Sequence, residues 1–396
     1  MSRLKRTLAD FFQQADLVLL GLCCAATLFG IALIISATQY LEEVRMIIRY
    51  AGVQAAGMLL GICAYIFLSV VDLDGLMKKW KWIVLFNIVL IGLLLTPLGI
   101  GKESTGNQAW LKIPGIPFQI GPAEVVKITF TLLLAKQLEW LREEKRDLKS
   151  FRSAFLVAGH ALALIGWYVV VSGDMGNALT FFFIFLCMAF VAGFALRWFL
   201  LLFAGAGAAI SAVLLLDLVP KSMTYMVRRF QVLFDHSLDP AGIGWQQNRS
   251  LLAIGSGGVF GQGYLNGTQT QSAYPTSLPA RRTDLIFAVC GEELGLIGCI
   301  AVIVLLACII FRVLLVAKNS QTPFQCYACV GVAAMLIYQT VVNIGMCLFV
   351  MPTIGVTLPF FSYGGSSIVT LYMAMGVVSN IKKRSLAMRR PTRTLL

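Results

Sequence analysis

Apolar residues run along this chain in blocks of about twenty, separated by short polar stretches. That is the pattern of helices crossing a bilayer, and it lacks the alternation of half-buried strands. The runs predict ten spans, near 17–38, 50–71, 82–100, 120–138, 153–171, 178–196, 198–219, 285–311, 327–351 and 366–381. The expected fold class is all-α: one polytopic membrane domain over residues 1–396, with a long extracellular loop at 220–284 between helices 7 and 8 and cytoplasmic tails at 1–16 and 382–396. Composition agrees, with 58% of residues hydrophobic and 13% charged, against roughly 45–50% apolar in soluble domains. A soluble globular protein is excluded.

Lys and Arg outnumber Asp and Glu by 32 to 19, a net charge of +13. The basic residues sit between the apolar blocks and form no contiguous face interleaved with aromatics, so no nucleic acid is expected as a partner. They read as topology signals and contacts to membrane lipids. With the N-terminus inside, about two thirds of the Lys and Arg fall on the cytoplasmic side. Both termini are therefore expected in the cytoplasm and the segments 101–119, 220–284 and 352–365 outside it. The run Leu17–Thr38 is too long for a signal-peptide core, so no cleavage is expected there. Most of the ten Cys lie in apolar blocks, as small hydrophobes. Cys326 and Cys329 form one C-x-x-C without a second pair, and the two His, His160 and His236, have no metal-like spacing, so no protein-held metal site is expected. His160 reads as a hydrogen-bonded residue between helices.

Candidate chemistry lies where charge enters the membrane, because a charge near the bilayer centre costs on the order of 2.5–3.5 kcal/mol. Glu124 and Lys127 share a helical face at i and i+3; an ion pair and an anion or sugar site both fit. Glu292 and Glu293 must face the bundle interior, a cavity or a basic partner. Asp174, in the short turn between the fifth and sixth spans, can cap the next helix. Asp284 stands where the long exported loop re-enters the membrane, after Arg281 and Arg282. It either caps the eighth helix or places a carboxylate beside anion-binding groups. The glycine-dense run Gly255-Ser256-Gly257-Gly258 to Gly263 resembles a phosphate-cradling loop in its glycine density but matches neither a dinucleotide fingerprint nor a P-loop; tight turns with close helix approach account for it equally well.

Several of these segments together resemble the shape, elongation, division and sporulation family of polytopic peptidoglycan polymerases. They are Gly244-Trp245-Gln246 leading to Gly258, Gly267-Thr268-Gln269, Thr283-Asp284 through Val289 with Glu292-Glu293-Leu-Gly295, and Gly355 through Pro359 to Ser362-Tyr363-Gly364-Gly365-Ser366-Ser367. The stretch Leu265 to Gln271 is more similar to the cell-elongation (RodA) branch than to the septal (FtsW) branch, with the sporulation (SpoVE) branch as a further sister. Departures are Ala123, Ala280 and Ala109, where the family usually carries Ser, Glu and Arg.

The resemblance implies a glycosyltransferase that polymerises lipid II outside the cytoplasmic membrane, in partnership with a class B penicillin-binding protein (transpeptidase). Asp284 matches the family's catalytic aspartate and would act as general base. Lys127, Arg281 and Arg282, with a divalent cation (Mg or Mn), are candidates to stabilise the pyrophosphate leaving group, Glu124 orienting Lys127. Trp110 offers a flat face to a sugar or to the interface. Ser256, Gln269, Asp174 and Ser366 complete the expected substrate-binding set. A precursor flippase and a non-catalytic scaffold for the transpeptidase are the competing readings.

Overall fold

The computed structural model describes residues 15–39, 43–101, 107–115, 119–144, 147–216, 221–234, 242–274 and 277–389. Among the described residues, ten helices of 13 residues or more follow the ten apolar runs one for one. They are α1 (Leu17–Thr38), α2 (Val44–Val70), α4 (Trp80–Gly92), α5 (Pro122–Glu143), α6 (Phe151–Ser172), α7 (Met175–Ala192), α8 (Leu196–Leu215), α11 (Ile286–Lys318), α12 (Pro323–Cys347) and α13 (Gly365–Arg389). Seven are long and apolar enough to cross a membrane by length and composition, and the chain is a multi-pass membrane protein. The only strands among the described residues, β1 (Gly99–Ile100) and β2 (Trp110–Leu111), pair antiparallel.

The long loop is more structured than its composition implies. It holds α9 (Lys221–Phe234) and α10 (Ile243–Gly257). The tail expected from 382 is partly helical, since α13 continues to Arg389. Two of its cations have partners there. Lys382 reaches Asp16, and Arg384 binds Asp72 and Asp74, which flank the start of the five-residue α3 (Leu73–Met77). Residues 1–14, 390–396 and His236 lie outside the described residues.

Burial sorts the helices. α12 sits at the centre, mostly buried against α5, α7 and α11, whereas α8 packs loosely and has no fully buried residue among those described. α5 carries more charge than an ordinary span, and internal pairs neutralise part of it: Glu124 with Lys127 and Glu139 with Lys136. Glu139 also accepts from the Phe324 amide at the start of α12 (3.2 Å), supplying an acceptor to an otherwise orphaned helix-end donor.

At the end of the bundle that holds the described N-terminal residues, Asp16 caps α1 and is fully buried, where Arg312 of α11 binds it through two nitrogens and Lys382 through one. Three helices are thereby joined through one carboxylate.

Within α11, Gly295 leaves the helical conformation (φ 66°, ψ −160°), so the ladder is broken inside a span. The glycine run 257–263 fills the break. The carbonyls of Glu292 and Glu293 accept from the amides of Gln262 and Gly263 (2.9 and 3.0 Å), and the amides of Leu296 and Ile297 donate to Gly258 and Val259 (2.9 and 3.3 Å). A side chain at Gly261, which has φ +81°, would collide with the Glu293 carbonyl. Close backbone approach, one of the two roles the sequence left open for this run, is what its glycines serve. Replacing Gly261 by Ala is expected to destabilise the protein by more than about 3 kcal/mol through strain and lost insertion. Gly255→Ala, whose Cβ meets nothing within 4 Å, should shift stability by less than about 1 kcal/mol. Thermal unfolding in detergent with size-exclusion recovery measures both.

Candidate functional site

The turn preceding α11 is held from several directions. Asn343 of α12 donates from Nδ2 to the Asp284 carbonyl (2.9 Å) and to that of Val356 (2.7 Å). Ser362 donates to the Thr283 carbonyl (2.6 Å), and the Tyr363 amide to the Arg282 carbonyl (2.9 Å). Gln54 of α2 in turn holds the Ser362 carbonyl and the Gly364 amide. The two most distinctive sequence segments, around 283 and around 362, are thus one hydrogen-bonded unit.

Asp284 does not cap α11. The cap position is Leu285, with no side-chain hydrogen bond, so the carboxylate is not used to start the helix. It is partly buried. Burial raises its pKa, the nearby Arg229 of α9 opposes that, Asp174 adds to it, and a hydrogen bond with Thr283 lowers it again; the result is about 6.

Asp174 does cap its helix, α7, accepting from the Asn177 amide (3.2 Å), and it extends further. Its other oxygen accepts from Tyr168 Oη (3.1 Å) and Asn177 Nδ2 (2.8 Å). Asn177 Oδ1 then accepts from Lys127 Nζ (3.2 Å), which pairs with Glu124 (2.8 Å), which accepts from Ser367 Oγ (3.4 Å). Lys127 is fully buried. Ser366 accepts from the Gly121 amide at the start of α5 (3.3 Å), and the Trp110 ring packs against Gly121. Asp284, Asp174, Lys127, Glu124, Trp110 and Ser366 therefore belong to one region. It is built from the starts of α5, α7 and α13, the end of α6 and the turn before α11.

The other expected residues lie elsewhere. Ser256 is in the glycine run, donating to the Ala253 carbonyl and accepting from Gln262. Gln269 binds through its backbone amide to Glu292 (2.6 Å). Arg281 and Arg282 diverge. Arg281 is buried and donates to the Thr270 carbonyl, whereas Arg282 lies over the Tyr50 ring (4.1 Å). The cation that acts on Asp284 is Arg229, which the sequence reading passed over; its only signal there was the amphipathic pattern of 221–234. Asn177 and Tyr168 were also missed, although Asn177 is the third residue after a capping Asp.

Glu292 and Glu293 face inward as expected, and neither forms an ion pair with Lys or Arg among the described residues. Glu292 accepts from the Gln269 and Thr270 amides and the Thr270 hydroxyl; Glu293 accepts from Ser36 and Gln271. They fasten segment 267–271. His160 hydrogen-bonds Gln137 (2.7 Å) between α6 and α5.

The family model FTSW_RODA_SPOVE, described as "Cell cycle protein", matches residues 16–386. The chain belongs to this family. The "Probable peptidoglycan glycosyltransferase FtsW" of Geobacter metallireducens is 30% identical over 377 residues, covering 94% of this chain and 96% of its own. The protein of the same name from Thiomicrospira cyclica is 33% identical over 375 residues, covering 93% and 91%. Stage V sporulation protein E of Bacillus subtilis is 31% identical over 327 residues, covering 82% and 85%. Among solved structures, the fold matches a chain described under "Structural coordination of polymerization and crosslinking by a peptidoglycan synthase complex", with TM-score 0.76, 25% identity and coverage of 94% and 98%. It also matches a variant of the rod shape determining protein RodA of Thermus thermophilus, with TM-score 0.65, 25% identity and coverage of 93% and 97%. These sequence relatives carry the FtsW and SpoVE names and one structural neighbour the RodA name, so they lend the elongation branch no preference.

Lys127→Met leaves Glu124 charged and without its cation, and is expected to cost about 3–5 kcal/mol of stability. Pairing it with Glu124→Gln should restore most of that loss in detergent unfolding.

Proposed function

We propose that this protein polymerises lipid II into glycan strands at the outer face of the bacterial cytoplasmic membrane, with Asp284 as the general base. That the chain is a peptidoglycan glycosyltransferase follows from its family and from relatives matched over nearly its whole length. The observation that carries the residue-level reading is the Asp284 carboxylate. It is left out of helix capping, set on a turn clamped by Asn343, Ser362 and Tyr363, and lies within electrostatic reach of the Asp174 network.

In this reading a sugar hydroxyl attacks the anomeric carbon of a polyprenyl-pyrophosphate-linked disaccharide. The new C–O bond forms as the bond to the phosphate oxygen breaks, and the hydroxyl proton passes to Asp284. A pKa near 6 keeps the carboxylate ionised at neutral pH while bringing it closer to the operating pH than an ordinary Asp. Positive charge grows on the sugar ring, as in other glycosyl transfer, and negative charge on the departing pyrophosphate. Lys127, oriented by Glu124 and Asn177, supplies a fixed cation; its burial makes that charge act through a low dielectric. Trp110 stands at the edge of the same region and offers a face to a sugar ring.

A bound divalent cation, Mg²⁺ or Mn²⁺, would neutralise charge on the pyrophosphate, and such ions take one or two carboxylates together with phosphate oxygens. With Asp284 reserved as the base, Asp174 is a donor of that kind. No group of three or more His, Cys, Asp or Glu that could hold an ion occurs among the described residues. The apolar groove of about 320 Å³ between α4, α5 and α6, lined by Ile91, Leu133, Leu164 and Trp167, lies about two turns along α5 from Lys127 and suits the lipid tail. The neighbour from a complex that coordinates polymerization and crosslinking supports a class B penicillin-binding protein as the partner. An outer-face site requires both termini in the cytoplasm, as the Lys and Arg distribution favours.

Purified protein, with and without its transpeptidase partner, should convert lipid II and a divalent cation into long chains resolved by gel, and Asp284→Asn should lower the rate at least about 100-fold at unchanged folding. Full activity in that variant would remove Asp284 from the chemistry. The rate should fall tenfold per pH unit below about 6, and Arg229→Gln should move that limb to higher pH, because Arg229 favours the ionised carboxylate. The stability-restored Glu124→Gln/Lys127→Met pair should stay slow. A fast pair would make the ion pair purely architectural.

A further inference from the structure

At the end of the bundle opposite Asp284, α6, α7 and α8 leave an apolar groove of about 270 Å³. Ala154 and Ala158 of α6 and Ala189 of α7 line it together with Phe155, Phe185 and Phe199. Small residues on neighbouring helices leave the recess and the rings flank it. Its mouth is fixed by one carbonyl: Lys149 O accepts from Arg197 Nη2 and from Trp198 Nε1, both at 2.9 Å. The Arg197 guanidinium also lies over the Trp198 ring (4.9 Å), and that ring packs on Phe151 (5.5 Å).

Three exposed cations lie on the segments that form this end of the groove: Lys149 just before α6, Arg152 in the first turn of α6 and Arg197 in the first turn of α8. None forms an ion pair with the described residues. The nearby Asp147 carboxylate is turned to the Lys149 backbone amide (2.9 Å), closing its own turn. An apolar slot that opens to lipid at one end of the bundle, under a rim of unpaired positive charge, has the complementarity of one ligand class. An acyl chain fills the slot and a phosphate meets the rim.

We propose that this groove is a binding site for an anionic phospholipid of the cytoplasmic leaflet. One acyl chain packs among the Ala and Phe side chains, and the phosphate diester sits against Lys149, Arg152 and Arg197. Such a lipid braces the α6–α7 pair at the end remote from Tyr168, Asp174 and Asn177.

The test is native mass spectrometry of the full-length protein in micelles doped with equal amounts of phosphatidylglycerol and phosphatidylcholine. Each basic residue near an anionic headgroup contributes a factor of about five, so the wild type should retain phosphatidylglycerol at least about fivefold over phosphatidylcholine. Arg152→Gln/Arg197→Gln should abolish that preference, while Arg152→Lys/Arg197→Lys keeps most of it. Ala158→Phe, which fills the slot, should lower retention of both lipids. Lys78→Gln/Lys79→Gln, on the same face away from the groove, should leave the preference intact. Equal retention of the two lipids by the wild type would overturn the proposal. So would a preference that survives the double Gln variant, or one lost equally in the Lys78/Lys79 variant, which would assign it to diffuse surface charge. Unfolding temperatures for each variant separate lipid loss from misfolding.

Discussion

A helix broken inside a membrane must have its freed backbone groups satisfied by protein, because lipid supplies no partners. α11 breaks at Gly295, and the long segment between α8 and α11 returns a glycine run into the gap. That single requirement organises much of the half of the bundle that carries Asp284. Glycine is needed at the insertion because any side chain would hit the helix backbone. The same insertion aligns Glu292 and Glu293 with segment 267–271, whose amides and hydroxyls take up carboxylates that would otherwise be expensive to bury. The loop is therefore part of the bundle's hydrogen-bonded framework, and α11 can carry two adjacent acidic residues in a span.

The turn bearing Asp284 benefits from that rigidity at one side and from the 352–364 segment at the other. Its carbonyls are committed to Asn343, Ser362 and Tyr363, so the backbone is positioned while the carboxylate stays out of the scaffold. The Lys127 network follows the opposite rule. Every side chain in it is engaged: Glu124, Asn177, Asp174 and Tyr168 each meet a neighbour, and a fully buried ammonium is tolerable only because they do. One half of the site holds its chemistry through the main chain and the other through side chains.

Much of the architecture was legible in the apolar runs, because a bilayer forces twenty-residue apolar stretches to be helices; even α5, with its charges, was found that way. Segment 221–257 was read as loop since its helices are short and polar on one side, a pattern that hydropathy runs cannot see. Glu124 with Lys127 was readable from i, i+3 spacing. Arg229 was not, because its charge acts on Asp284 from a position 55 residues away in sequence, and nothing local distinguishes it from Arg228. The adjacent Arg281 and Arg282 misled for the complementary reason: neighbours in sequence on an irregular turn, with Ala280 at φ 47°, have no obligation to point the same way.

Arg282 lies on the ring of Tyr50, which meets Tyr363 edge-on at 5.1 Å, while Gln54, one turn further along α2, holds both neighbours of Tyr363. α2 is thus geared to the turn two residues before Asp284. A push on the exposed flank of α2, where Ile48, Leu59 and Phe67 face outward, reaches the carboxylate's backbone through rings and amides in two steps. The outer surface of that helix is in this sense a handle on the interior.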